Sequence, residues 1–449
     1  MALCYPEHPY LKGPPATAGG SDPVTSALYQ FLNEESPLSL SDNTERPRIL
    51  VAGDGGVPTG FARVMEGVFT PLAEHYEIHQ LATNYRGDPH NHPWRLYPAE
   101  VGGDRWGAGR VLPLVEKIRP RLVFVLNDIW VQHAYLQELR KMKEPPPVVL
   151  YCPVDGGPLD AEDVEPLGGV RRCVAYTEFG REVIESAAAA QRSKDPSFNF
   201  PPVEIIPHGV DTDTFRPLEA EGVSPRLHAR RLLFPGLEDL EGRFIVLNAN
   251  RNQPRKRIDT TVRGFALFAE GKPPGVNLFL HMGVEDVGWN VVRLARRYGV
   301  EDRVLMSSLN KVMQTVSPQQ LNRVYNACDV GVNTSTAEGW GLPSFEHAAT
   351  RAAQIVPRHS ACAELWEGSA VLVEPALRIV NEKILTEGWL VTPEAVAGAL
   401  ESLYADRGFL DEMSERAYRN ATRVEYRWEN ISARWDALFR EVLAEAARA

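Results

Sequence analysis

Apolar and polar positions follow two rhythms along most of this chain. Short unbroken apolar runs, of which Arg48-Ile-Leu-Val-Ala52 comes first, read as strands buried on both faces, and stretches with apolar residues three and four apart read as helices. This predicts strands at 48–52, 77–83, 122–126, 148–152, 173–176 and 203–206, with helices at 61–69 (closed by Pro71), near 107–118, at 130–142 and at 179–192. The plan then repeats: strands at 244–249, 277–282, 303–306, 329–334, 353–357 and 370–374, and helices from 258, at 289–298 and at 318–328. Strands separated by helices imply parallel sheets covered on both faces. The fold class expected is α/β, with an N-terminal Rossmann-like domain over 48–206 and a second one over 207–424. Residues 1–47, rich in Pro, Gly and Ser with one amphipathic segment at 24–33, read as an extension, and 425–449 as a last helix. Residues 84–106 read as a long loop carrying His90, His92, Trp94 and Trp106; 394–423 is helical, and 375–391 has no assignment.

Composition narrows the class. A chain of 449 residues can bury two cores, and 44% hydrophobic with 24% charged residues is ordinary for a globular protein. A formal charge of -11 argues against a nucleic-acid surface. No apolar run approaches about 18 residues, and Met1-Ala-Leu-Cys-Tyr-Pro lacks a secretion signal's basic start, so the expected location is cytoplasmic. Five scattered cysteines without a CxxC pair support neither a disulfide framework nor a zinc site.

The chemistry concentrates in loops that follow strands, where open parallel sheets bind ligands. In Thr334-Ser-Thr-Ala-Glu-Gly-Trp-Gly-Leu-Pro-Ser-Phe-Glu346, Gly339 and Gly341 let the backbone turn close to a ligand, Pro343 suits the start of a helix, and Glu346 should fall in that helix's first turn. Backbone donors ahead of Leu342 suit phosphate, whereas Glu338 and Glu346 would repel it and accept hydroxyls. That division suits a nucleotide-sugar: donors for the diphosphate, carboxylates for the diols. Gly53-Asp-Gly-Gly-Val-Pro-Thr-Gly60, with Gly56 at its centre, is a second glycine loop between strand and helix, but it is not GxGxxG, so a nicotinamide site is not expected. Asn250-Arg-Asn-Gln-Pro-Arg-Lys-Arg257 opens a basic loop after a buried strand.

Taken in order, the glycine loop, Pro207-His-Gly-Val-Asp211, the Arg251/Lys256 pair and Glu338-Gly-Trp-Gly-Leu-Pro with Glu346 resemble retaining glycosyltransferases of the GT-B fold, the family-4-like group 1 transferases, over roughly 48–445. The resemblance implies two facing doubly wound domains with a cleft between them, the nucleotide-sugar donor mostly on the second, and a last helix returning to the first. It implies that Glu338 meets the transferred sugar, that Glu346 meets the ribose, and that Arg251 and Lys256 clamp the diphosphate. Gly56, Gly339, Trp340 (in place of the usual Phe), Gly341 and Leu342 would surround the donor. Many relatives place a histidine at a strand end near the sugar. Asp128 and Asp155 occupy such edges here, and Asp155 is the preferred candidate to join Glu338, Arg251 and Lys256 in catalysis. Asp211 and Asp213 are read as a structural turn, so no metal and no cofactor are expected. Acceptor contacts are placed in 84–106, and Ser307-Ser-Leu-Asn-Lys311 beside the base. The acceptor, the donor's base and sugar, and the oligomeric state stay open. Other readings on the same residues are a nucleotide-sugar epimerase or phosphorylase and an inactive sugar-binding scaffold.

Overall fold

A computed structural model describes residues 46–236, 239–307, 310, 316–381 and 385–448. The segment at 24–33, and most of 308–315, lie outside the described residues. Arg48–Asp54 (β1), buried from Ile49 onward, leads through Gly60–Leu72 (α1) to Glu77–Thr83 (β2), then Arg95–Pro98 (β3), Ala108–Ile118 (α2), Leu122–Leu126 (β4), Ile129–Leu139 (α3), Val148–Cys152 (β5), Ala161–Val164 (α4), Arg172–Ala175 (β6), Glu178–Lys194 (α5) and Val203–Ile205 (β7). These strands form one parallel sheet in the order β3-β2-β1-β4-β5-β6-β7.

The chain continues with Pro225–Leu233 (α6), Phe244–Asn248 (β8), Ile258–Ala269 (α7), Val276–Leu280 (β9), Val291–Arg297 (α8), Val304–Met306 (β10), Pro318–Ala327 (α9), Val330–Val332 (β11), Leu342–Ala348 (α10), Ala353–Pro357 (β12), Ser360–Trp366 (α11) and Val371–Val373 (β13). Their strands make a second parallel sheet, β10-β9-β8-β11-β12-β13. Leu377–Val380 (β14) and Glu387–Leu390 (β15) pair as an antiparallel hairpin, and Pro393–Ala405 (α12), Arg407–Ala421 (α13) and Trp428–Ala446 (α14) end the chain.

Several elements depart from the periodicity for physical reasons. The stretch 84–106 is not all loop: β3 adds to the sheet edge because Trp94 and Leu96 have an apolar face to bury, and Pro98 is tolerated at its end. Helix α6 went unpredicted because its sequence is largely polar; Ser224 caps it at Leu227 N and Pro225 opens it. The helical stretch at 394–423 is two helices, divided at Asp406, whose carboxylate accepts the Phe409 N–H and starts α13. The 375–391 segment is the β14–β15 hairpin. Pro71 does not close α1, which runs to Leu72 with the proline inside. A proline deprives the carbonyl four residues earlier of its helical partner. That carbonyl, Gly67 O, accepts from Ser432 Oγ of α14 at 3.1 Å instead.

Helix α14 fastens the two sheets together. Trp428 lies so close to Gly67 and Gly209 that a Cβ on either would come within 2.4 and 2.5 Å of its ring, and Trp435 meets Phe124 edge-on at 5.1 Å. Val210 N donates to Tyr426 O at 2.7 Å where the chain passes from one sheet to the other. One apolar cluster runs from Phe69, Phe124 and Phe439 beneath the first sheet to Trp340, Phe345 and Trp366 beside the second.

Candidate functional site

The carboxyl ends of β1, β8, β9 and β11 open on a cavity of about 800 Å³, lined from one side by Gly56, Arg63 and His92 and from the other by Arg251, His281 and Glu346. Gly56 is required at its rim: with φ +64, a Cβ there would also strike the Tyr85 ring at 2.8 Å. The loop around it is fixed by Asp54, which is buried at the end of β1 and accepts from Thr59 Oγ1 at 2.6 Å, from Asn84 Nδ2 at 2.8 Å and from Thr83 Oγ1. Thr59 in turn caps α1 at Ala62 N.

Glu346 does not sit in the first turn of α10 but one turn further in, because Gly341, at φ +89, caps the helix and Leu342 begins it. Being buried, its carboxylate needs partners: Arg63 of α1 forms an ion pair with Oε1, and Tyr325 OH donates to Oε2 at 2.8 Å. Burial pulls the Arg63 guanidinium down, and Glu346 and Tyr325 more than restore it. His281, which lines the same cavity and is bonded to Ser307 Oγ at 2.8 Å, is held at about 4 by burial and by Arg63, and is neutral at physiological pH. Arg251 reaches the cavity tethered at Nε and Nη2 to Asp286, at 2.6 and 3.1 Å.

A second cluster lies beyond this cavity's lining. Lys256 Nζ is ion-paired with Glu338 Oε2, both side chains almost fully buried, and Ser335 Oγ donates to the same oxygen at 3.1 Å. Burial would raise the Glu338 carboxyl, but Lys256 and Arg255 outweigh it and hold it at about 2. Lys256 moves down, by burial first and by Arg255 second, against the pull of Glu338. Arg255 bridges the two halves: its Nη1 lies 3.2 Å from Asp155 Oδ2, 3.1 Å from Ala337 O and 3.9 Å from Glu338 Oε1. Asp155 Oδ1 accepts the Gly339 N–H at 3.0 Å. The backbone donor facing the strand end of β5 is thus answered by a carboxylate. Asp128 stands near this group; desolvation and the Asp155 charge raise it to about 6, against Arg255, although the residue is exposed at the surface.

The predicted residues therefore divide in two. Gly56, Arg251, Leu342 and Glu346 share the cavity, and Glu338, Lys256 and Gly339 form the buried cluster, with the partly exposed Asp155 at its edge. The Trp340 side chain faces neither: it is buried, stacked on Phe345 at 4.8 Å with Tyr426 edge-on at 5.3 Å. His208 is likewise a core residue, bonded to Tyr151 OH at 2.8 Å and held near 3 by burial. Asp211 Oδ1 caps its own turn through Asp213 N and Thr214 N, at 3.2 and 3.0 Å. Of the long loop, His92 reaches the cavity rim and Trp106 packs edge-on against Trp130. Arg63, Tyr325 and Arg255 were not anticipated. Arg255, like Arg257 bonded to Asp259, lies in the basic loop that follows β8, where the sequence alone does not say which charges meet a partner.

No family model matches the sequence. The D-inositol 3-phosphate glycosyltransferase of Segniliparus rotundus is 29% identical over 147 residues, which is 32% of this chain and 29% of that protein; the match spans under a third of either. Among solved structures, sucrose-phosphate synthase from Thermosynechococcus elongatus superposes with a TM-score of 0.67 at 16% identity, over 89% of this chain and all of that one. Anabaena HepE, solved in complex with UDP and glucose, gives 0.64 at 15% identity over 88% of this chain and all of its own. An E. coli trehalose-6-phosphate structure bound with UDP-2-fluoro glucose gives 0.60 at 14% identity over 88% of this chain and 99% of its own. The architecture shared with these proteins is GT-B: two parallel α/β sheets, of seven and six strands here, as the motifs implied.

Proposed function

We propose that this chain is a glycosyltransferase that moves a sugar from a nucleoside diphosphate sugar to an acceptor hydroxyl, with retention and without a metal ion. The observation that carries the reading is the pairing of two acidic positions on one loop and helix. Glu346 lines a cavity of about 800 Å³ that also holds Arg251, and Glu338 is kept ionised beside it by Lys256 and Arg255. The volume suits a nucleotide-sugar. The UDP complex of HepE supports a UDP-sugar as first donor to try, and the named activity of the Segniliparus relative supports sugar transfer.

Each group has a role that its environment allows. Glu346, held by Arg63 and Tyr325, would accept ribose hydroxyls. Glu338, with its carboxyl near 2, can accept hydroxyl hydrogen bonds from the sugar but holds no proton to give at neutral pH. Arg251 and Lys256 would meet the charge that grows on the diphosphate as the glycosidic bond breaks, which is electrostatic stabilisation of the leaving group. The acceptor hydroxyl would attack from the leaving-group face, its proton passing to a phosphate oxygen. Asp155, joined to Arg255 and to Gly339, would fix the sugar end of the site across the cleft.

The test is release of UDP from UDP-sugars by the full chain, with and without sugar acceptors, and the anomeric configuration of the product by NMR. Turnover that falls about 10²-fold or more in Glu338→Ala, with an α-linked product from an α-linked donor, is expected. An inverted product would remove retention, and no nucleotide release from any nucleoside diphosphate sugar would remove the activity.

A further inference from the structure

The carboxylate that the donor reading gives to the ribose already has partners within the protein. Arg63 reaches Glu346 Oε1 from α1 on the opposite wall of the cavity, and Tyr325 OH donates to Oε2 at 2.8 Å. A carboxylate can accept about four hydrogen bonds. Protein atoms cover all but 5% of this side chain, however, and the approach to it from the cavity is the one along which Arg63 lies. Two ribose hydroxyls and the guanidinium therefore compete for one acceptor.

Of the two partners, Arg63 is the one able to yield. Its side chain is long and 34% exposed, whereas Glu346 is buried on α10 and held by Tyr325. A second anion stands within one turn of α1: Glu66, three residues further along and so on the same face of the helix. Glu66 lines the same cavity and its side chain is 58% exposed. Among the described residues its charge meets only the His92 ring, at 3.8 Å, and burial keeps that ring below its ordinary pKa. A guanidinium that leaves Glu346 thus has a carboxylate to receive it.

We propose that Arg63 competes with the donor for Glu346 and so sets nucleotide affinity: it holds the carboxylate until ribose hydroxyls take its place, and then turns to Glu66. The proposal rests on the reading of Glu346 as the ribose contact. Arg63 is a positioning residue, acting on the donor through Glu346. A contact that binding has to break subtracts from affinity, so removing it tightens the complex. Simple charge complementarity gives the opposite sign, because taking a cation out of a cavity for a diphosphate weakens binding.

Calorimetry with UDP on the full chain separates the two. Arg63→Met binds UDP at least about fivefold more tightly than wild type, the lower end of ordinary coupling free energies. Arg63→Gln, which keeps an amide donor for Glu346, gains about twofold or more. Damage to the fold does not raise affinity. The gain needs the carboxylate, so Arg63→Met added to Glu346→Gln gives none. In thermal melts Arg63→Met unfolds below wild type without nucleotide and together with it at saturating UDP. With UDP weakened in Glu346→Gln, unchanged or weaker binding in both folded Arg63 variants, or a gain that persists without Glu346, overturns the competition and leaves the donor reading standing. UDP binding that is absent from every protein, or unaffected by Glu346→Gln, removes the ribose contact and the proposal with it.

Discussion

Replacing Lys256 with methionine should reverse the way stability depends on pH. In the native protein Glu338 is almost fully buried and is held at about 2 by Lys256 and, 3.9 Å away, by Arg255. Its folded pKa lies below its ordinary value, so the stability it contributes is present above about 4.5 and is lost as pH falls towards about 2. Lys256 is itself penalised by burial and by Arg255, so the pair contributes less than the Glu338 shift alone implies. Removing the lysine leaves a buried carboxylate with one distant cation and the Ser335 and Asn333 donors, which should cost about 3–5 kcal/mol at neutral pH. With an unfolding slope of about 3 kcal/mol/M, the urea midpoint falls by about 1–1.7 M. Burial now dominates the carboxyl, its pKa rises above the ordinary value, and stability declines as pH rises through that new pKa. The double variant Lys256→Met/Glu338→Gln carries neither charge, should recover most of the loss, and should be flat across that range. Urea midpoints from pH 4 to 8 for wild type and the two variants decide it. A Lys256→Met midpoint within about 0.3 M of wild type, or a double variant no more stable than Lys256→Met, would refute the reasoning.

Three further outcomes are expected. Glu346→Gln should weaken UDP binding measured by calorimetry, while Glu338→Gln should spare UDP and impair turnover of the UDP-sugar; equal losses in both would collapse the division of roles. Arg251→Ala should lower kcat at saturating donor by about 10²–10³-fold, since one preorganised donor is commonly worth that much in the transition state, and a change confined to KM would make it a ground-state binding residue. Transfer should persist in EDTA if the cations Arg251 and Lys256 do the work of a metal, and loss of activity restored by Mn²⁺ or Mg²⁺ would count against this.

The strands were legible because a strand buried on both faces has to be apolar along its whole length, as β4 and β5 are, and few other local structures produce that run. The elements that escaped are those whose partners lie far away in sequence. Helix α6 is polar on most faces and is held through Arg230, which donates to Ala327 O, Leu240 O and Arg243 O and pairs with Asp329 at 2.6 Å. Pro71 looked like a helix end because local rules assign it no partner for the Gly67 carbonyl, and that partner, Ser432, is 365 positions away. The β14–β15 hairpin gains its register from each strand's partner, but its place from Gly157 and Thr336, which no local pattern announces.

The site divides along the same line. Loops that change the backbone's direction write themselves in glycine and proline, so Gly56 and Pro343 mark the cavity's rim and Gly341 the start of α10 from sequence alone. What a loop's charges face depends instead on which half of the molecule lies opposite. Arg255 and Lys256 are adjacent, yet Lys256 turns inward to Glu338 of its own half while Arg255 reaches across to Asp155. Arg63, an unremarkable position on an amphipathic helix, becomes the partner of Glu346 only when α1 and α10 face each other. Both cross-cleft pairs place a guanidinium from one half against a carboxylate of the other, at the two ends of the site. Binding an anionic, hydroxyl-rich donor between them must therefore exchange existing charge pairs for new ones, which ties occupancy of the cleft to the contacts that hold its walls together.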